Sequence, residues 1–129
     1  MENRRNKRQV TGKKGEDMAC DLLAGRGHLI LERNYRVGHL EIDIISASAD
    51  GIHFVEVKAR RESIQAPPQN NVDYAKQKRI ATAAKGYIRS RKGLPFSGNE
   101  FHFDVVAVIF KEKTVQVDYF PDAYIPIYL

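Results

Sequence analysis

The sequence predicts an α/β fold, a mixed central sheet flanked by helices, with its elements in the order α-β-β-β-α-β-β. Two pairs of strand-like runs carry this reading. Leu40 to Ser46 and Ile52 to Ala59 alternate apolar with polar residues and are joined by a turn ending in Asp50-Gly51, while Phe101 to Phe110 and Thr114 to Phe120 bracket Glu112-Lys113. Between the two hairpins, Ile80, Ala83, Ala84, Tyr87 and Ile88 recur at helical spacing. With 129 residues, 43% of them hydrophobic, the chain has the size and the apolar content for one domain around one core.

Taken in order, Met1 to Gln9 carries Arg4, Arg5, Lys7 and Arg8 with almost nothing apolar. Residues 1–10 are therefore expected to be a flexible basic arm, suited to nucleic acid, ahead of a single domain over 11–129. The first helix is expected to start at a Thr11 cap, bury Ala19, Cys20, Leu22 and Leu23, and stop at Gly25 and Gly27. Gly12 and Gly15 would let it approach another backbone closely. Leu29, Ile30 and Leu31 mark a strand within His28 to Arg36, followed by the first hairpin. Arg60 to Val72, with Pro67-Pro68 and Asn70-Asn71, reads as a loop, and Asp73 as the cap of a helix reaching about Arg91. Leu94 to Glu100 reads as a second loop. The segment Pro121 to Leu129, rich in Tyr, Ile and Pro, is expected to pack against the body.

Charge narrows the function. Lys and Arg total 21 against 16 Asp and Glu, a formal charge of +5, which favours a polyanionic partner such as nucleic acid. No apolar run has the length of a membrane helix, and the longest, Val105 to Phe110, reads as a buried strand. No apolar segment follows the basic N-terminus, so it is not read as a secretory signal. Cys20 is the only cysteine, which excludes an internal disulfide and a zinc site of several thiolates, and points to a reduced, cytoplasmic protein.

The first hairpin carries the chemistry. Side chains alternate faces along a strand, so Glu41 and Asp43 share one face and Glu56 and Lys58 share a face of the next strand. A turn over Ser48 to Gly51 sets Ser46 near His53, Asp43 opposite Glu56 and Glu41 opposite Lys58. Ile42, Ile44, Val55 and Val57 then form an apolar reverse face. Two carboxylates directly opposite repel, and once partly desolvated they must share a proton or hold a cation. Mg²⁺ or Mn²⁺ answers that need with hard oxygen ligands, and Lys58 beside them contacts phosphate or orients water, an arrangement suited to phosphodiester hydrolysis. A solvated polar face with an exposed Glu–Lys pair is the bland reading of the same residues. Glu16 shares a helical stripe with Cys20 and Leu23 and either joins this site or merely complements the helix dipole.

Other residues are weighed beside it. Lys76, Lys78 and Arg79 open the basic second helix and are expected to contact phosphate. Asp104, inside an apolar strand, needs a partner, with Arg or Lys the first choice. His28, His39, His53 and His102 share no metal-ligand spacing and are assigned surface or structural roles. Tyr35, Tyr74 and Tyr87 are candidates to stack on bases, but Tyr87 falls on the apolar stripe and is expected in the core.

Gly12-x-x-Gly15-Glu16-x-x-Ala19, Glu41-Ile42-Asp43-Ile44-Ile45, Phe54-Val55-Glu56-Val57-Lys58-Ala59-Arg60, the Lys78-Arg79 helix and Phe103-Asp104-Val105-Val106 appear in one order. This closely resembles the bacterial YraN-like family, over roughly Thr11 to Phe110. The resemblance implies the fold of restriction endonucleases and Holliday junction resolvases and the PD-(D/E)xK nuclease core. It sets Asp43, Glu56 and Lys58 on the motif positions and Glu16 on the helical acidic one, with Ile42 standing where a proline often precedes the aspartate. The expected function is a Mg²⁺- or Mn²⁺-dependent endonuclease acting on DNA, with branched or structured DNA among its candidate substrates and Asp43, Glu56 and Glu16 at the metal. Lys76, Lys78, Arg79, Arg60, Arg4 and Arg5 are the expected nucleic-acid contacts, and a resolvase role would favour a homodimer. A binding module that has lost catalysis is the alternative; a metal-independent RNA-processing enzyme is disfavoured by the carboxylate hairpin.

Overall fold

The computed structural model describes residues 4–62, 72–90 and 100–126, with side chains from residue 9 onward. The predicted element order holds: α1 (Arg4–Gly25), β1 (Leu29–Val37), β2 (Leu40–Ser48), β3 (Gly51–Arg61), α2 (Tyr74–Arg89), β4 (Phe101–Phe110) and β5 (Val115–Phe120). The strands form one mixed sheet in the order β1-β2-β3-β4-β5. All neighbours are antiparallel except β3 and β4, which run parallel in register from Ile52↔Phe101 to Arg61↔Phe110 and are connected through α2. Among the described residues, no helix is long and apolar enough to cross a membrane.

Two boundaries differ from expectation. Helix α1 begins at Arg4, so Thr11 is an interior, buried residue and not a cap, and the arm is helical from its fourth residue. Arg, Lys and Gln are good helix formers, and nothing among residues 4–10 breaks the helix. Strand β3 continues through Arg60 and Arg61 because β4 pairs with it to the end. The predicted Pro-Pro and Asn-Asn loop and the loop before Glu100 lie almost wholly outside the described residues. At the other end of α1 the expectation holds. Gly27 takes φ 89, its N–H bonds the Ala24 carbonyl at 3.1 Å and the His28 N–H bonds the Leu23 carbonyl at 3.0 Å, the paired bonds of a Schellman stop.

The sheet has a core on each face. Ile45, Phe54, Phe103 and Val105 pack with Ile80, Ala83, Ala84 and Tyr87 of α2, whereas Ile44, Val55, Val106 and Val108 pack with Ala19 and Leu23 of α1. Gly15 lets α1 lie this close, since a methyl group there would collide with the Ala59 side chain; Gly12 has no such neighbour and plays no such part. Tyr35 meets Tyr87 edge to face at 5.2 Å between ring centroids, so it supports the α2-side core. The terminal segment docks as expected, through the Ala123 N–H on the Phe103 carbonyl at 2.8 Å and Tyr124 against the Phe103 ring.

Ile42 does not share a face with Ile44. It packs on the α2 side with Tyr35, its partner in β1, while Ile44 faces α1 and its partner Arg33 bonds Asp17 of α1 at 2.7 Å. Both strands thus roll over within two residues. Between these pairs stand Asp43 and, across from it, Asn34 at φ 51, a left-handed conformation that asparagine tolerates better than most residues. This roll delivers Asp43 to the place where the site forms.

Two stability measurements check these constraints. Gly15→Ala should destabilise the chain by about 1–3 kcal/mol in urea unfolding, as overpacking does. Asn34→Ala should cost about 1–2 kcal/mol through left-handed strain, whereas Asn34→Gly should stay near the parent.

Candidate active site

The site lies where β2 and β3 part. Their ladder runs from Ser48↔Gly51, across a turn at Ala49-Asp50, to Ile44↔Val55. Beyond that pair β2 stays with β1 while β3 stays with β4, and a fork opens. The Asp43 carboxylate fills its apex, accepting the Val57 N–H at 2.8 Å in place of a backbone carbonyl. Glu56, which would be the next cross-strand partner of Asp43, is 6% exposed and close enough for its charge to act on Asp43. The two carboxyls therefore meet as the alternation predicts. Glu41 does not reach Lys58, because β2 has already left β3 at that point; it is half-exposed and pairs with Arg36 of β1 at 3.7 Å.

Helix α2 closes one side of the fork. Asp73 caps it, accepting the Lys76 N–H at 2.8 Å, and Lys76 turns its ammonium onto Glu56 at 2.5 Å. His39, Leu40, Glu41, Asp43, Glu56, Lys76, Arg79 and Ile80 line the resulting cleft of about 260 Å³. Lys58, half-buried, follows Glu56 by two residues on the same strand. Glu16 is on α1, 3.8 Å from Arg33, and its charge is felt at Asp43.

The electrostatics follow from crowding two acids out of water. Burial first, and then the adjacent Glu56 charge, push the Asp43 carboxyl up to about 8, against the lowering effect of the Val57 N–H. Burial would lower the Lys76 ammonium, but its hydrogen bond to Glu56 prevails and holds it above its ordinary value. Burial lowers Lys58, with Glu56 opposing. The fork is thus a place that holds positive charge or a proton.

The remaining expected contacts are dispersed. Lys78 and Arg79 are exposed on α2, with Arg79 at the cleft, and Arg60 is half-buried near the end of β3. The side chains of Arg4 and Arg5 lie outside the described residues. Lys76, expected to face phosphate, faces Glu56 instead. Its spacing of four from Ile80 set it on the apolar stripe, where an ammonium requires a carboxylate, so the signal was in the sequence.

A family model described as uncharacterised protein family UPF0102 matches residues 15–108. The chain belongs to UPF0102. The matched span holds Glu16, Asp43, Glu56, Lys58 and all of α2. A UPF0102 protein of Dictyoglomus turgidum is 39% identical over 115 residues, 88% of this chain and 95% of its own length. Another from Chloroherpeton thalassium is 43% identical over 102 residues, covering 79% and 77% of the two chains. A third UPF0102 protein, from Moorella thermoacetica, is 45% identical over 101 residues, covering 78% and 82%. The family resemblance read from the motifs therefore holds, and the mixed sheet with its two helices accords with a restriction-endonuclease-like arrangement.

A second polar cluster escaped the sequence reading. Asp104, fully buried, is met not by Arg or Lys but by His53 Nδ1 at 2.7 Å, the Tyr119 hydroxyl at 2.5 Å and the Asp122 N–H at 2.9 Å. Burial raises its carboxyl, and these hydrogen bonds more than reverse that, leaving it below the usual range. His28, His53 and His102 stand in a row, with ring centroids 4.4 and 4.5 Å apart. The parallel pairing His53↔His102 brings two of them together across 49 residues of sequence, which no local spacing reveals.

Asp43 gives the site a pH signature. Its folded value of about 8 stands above the ordinary 3.8, so across that window the folded chain keeps a proton that the unfolded chain has lost. Stability contributed at Asp43 therefore falls as pH rises. The melting temperature of the parent should drop between pH 5 and 8, and Asp43→Asn should flatten that slope.

Proposed function

We propose that UPF0102 proteins of this kind hydrolyse phosphodiester bonds in DNA, as cytoplasmic endonucleases dependent on Mg²⁺ or Mn²⁺. The observation that carries this reading is the adjacent carboxyls of half-buried Asp43 and buried Glu56 in a cleft that Lys76 and Arg79 also line. The donor set fits such a metal. Carboxylate oxygens are the hard ligands Mg²⁺ takes, and the pairing of Lys76 with Glu56 is consistent with a spot that favours positive charge. Asp43 and Glu56 would hold the metal, with Glu16 assisting from α1. When bound, it would supply Lewis-acid polarisation of the phosphate and an activated water.

The chain's own residues divide the remaining work. Lys76 leaves Glu56 for the incoming phosphate, exchanging one anionic partner for another. Lys58 positions the nucleophile or neutralises charge developing on phosphorus-bound oxygen. Arg79 at the cleft and Lys78 beside it hold the DNA backbone without reading its sequence. The net charge of +5 adds long-range attraction. A resolvase-type substrate, needing two symmetric cuts, would require two copies of the chain.

A binding module on the same fold is the second reading. The Lys76–Glu56 ion pair favours it, because it satisfies Glu56 with no metal.

A cleavage screen of single-stranded, duplex, flap and four-way DNA with Mg²⁺ and Mn²⁺, joined to salt-dependent binding isotherms, separates the two. Asp43→Ala and Glu56→Ala should abolish cleavage with affinity unchanged or improved, since each removes a negative charge near phosphate. Lys58→Ala should lose rate with a smaller loss of affinity. Lys78→Ala with Arg79→Ala should weaken binding to all sequences alike and reduce the salt slope by about 0.9 per lost phosphate contact. Carboxylate variants that cut as fast as the parent would refute nuclease chemistry here. A parent that binds through Lys78 and Arg79 but cuts nothing is the binding module.

A further inference from the structure

The histidine row lies on the α1 side of the sheet, at the end of β3 away from Lys58. Its geometry points to a second metal site: we propose that Asp50, His53 and His102 bind a zinc-class divalent transition metal. One ligand atom from each of the three lies within 4.8 Å of the others. Proximity alone would be weak grounds, and the support behind the imidazoles supplies the stronger ones. His53 gives its Nδ1 to the buried Asp104 carboxylate at 2.7 Å, and His102 gives its Nδ1 to the Asp122 carboxylate at 2.8 Å. A carboxylate on the far nitrogen fixes tautomer and ring orientation and raises ligand basicity, as is usual for metal-bound histidine. Asp104 is itself held by Tyr119 and the Asp122 N–H, so the support is two layers deep.

With both Nδ1 atoms occupied, Nε2 is the nitrogen each ring offers, and both point at the β2–β3 turn. His53 Nε2 stands 2.8 Å from Ser48 Oγ, and His102 Nε2 stands 2.9 Å from the Asp50 carbonyl oxygen. The exposed Asp50 carboxylate receives the Ser48 hydroxyl at 2.6 Å and borders the same space, and Glu100 lies 3.4 Å from His102 Nε2. Two imidazoles and one carboxylate are a zinc donor set with a position left for water or a fourth ligand. Binding would displace the Nε2 protons and tie the β2–β3 turn to the start of β4. The site shares no residue with the Asp43–Glu56 cleft, so it neither requires nor supports nuclease activity.

The test is a calorimetric Zn²⁺ titration of the metal-stripped full chain in millimolar Mg²⁺, with Co²⁺ visible absorption as a second probe. The parent should bind one equivalent and give tetrahedral Co²⁺ bands. Asp50→Ala, in an exposed turn and so harmless to folding, should weaken Zn²⁺ at least about tenfold, and His102→Ala should abolish it. Asp122→Asn should cost about 10–100-fold, as loss of an outer carboxylate does. Asp43→Asn should bind Zn²⁺ like the parent. A parent that binds no Zn²⁺, an Asp50→Ala variant that binds as tightly as the parent, or loss of binding in Asp43→Asn would each overturn the proposal.

Discussion

The bond from the Val57 N–H to the Asp43 carboxylate is the constraint on which the fork depends. A backbone donor at the parting of two strands has lost its ladder partner, and leaving it unmade inside the protein would cost about 1–3 kcal/mol. Asp43 supplies the acceptor from a side chain, which lets β2 follow β1 away from β3 while the sheet stays satisfied. The same bond holds that carboxylate within the influence of the Glu56 charge. A structural need of the sheet and the concentration of negative charge thus meet in one residue.

The two helices serve that fork unequally. Helix α2 reaches over it, bringing Lys76 to Glu56 and Arg79 to the rim, while its stripe from Ile80 to Tyr87 anchors it on Phe54 and Phe103. Helix α1 holds the opposite face through Ala19 and Leu23, with its close approach at Gly15 setting Glu16 within electrostatic reach of Asp43. Because each face has its own core, the cleft can carry buried charge without weakening the packing elsewhere.

Period-two alternation in β2 and β3 made the meeting of Asp43 and Glu56 legible, because the turn at Ala49-Asp50 fixes the register across only a few residues. The stripe in α2, the Asp73 cap and the Gly27 stop were legible for the same reason: each is a local pattern. The roll at Asn34 and Asp43 was not, since asparagine in a left-handed conformation looks like any polar strand residue. It moved Ile42 to the other core. Nor was the company of Asp104, which depends on a parallel pairing of strands that are distant in sequence and on a turn beyond β5. Alternation assigns faces; it does not say which distant residue will share one.

The roll has one more consequence, at the margin of the sheet. Strand β1 is an outermost strand, and an outermost strand with a straight row of free amides and carbonyls invites another chain to extend the sheet. Here the row is broken twice, by the register shift between Ile30 and Glu32 and by the left-handed turn of Asn34, with Arg33 and Arg36 exposed beside the second break. An incoming strand finds neither a continuous template nor a neutral one. The kink that aims a carboxylate inward also guards the molecule's flank against self-association into extended sheets.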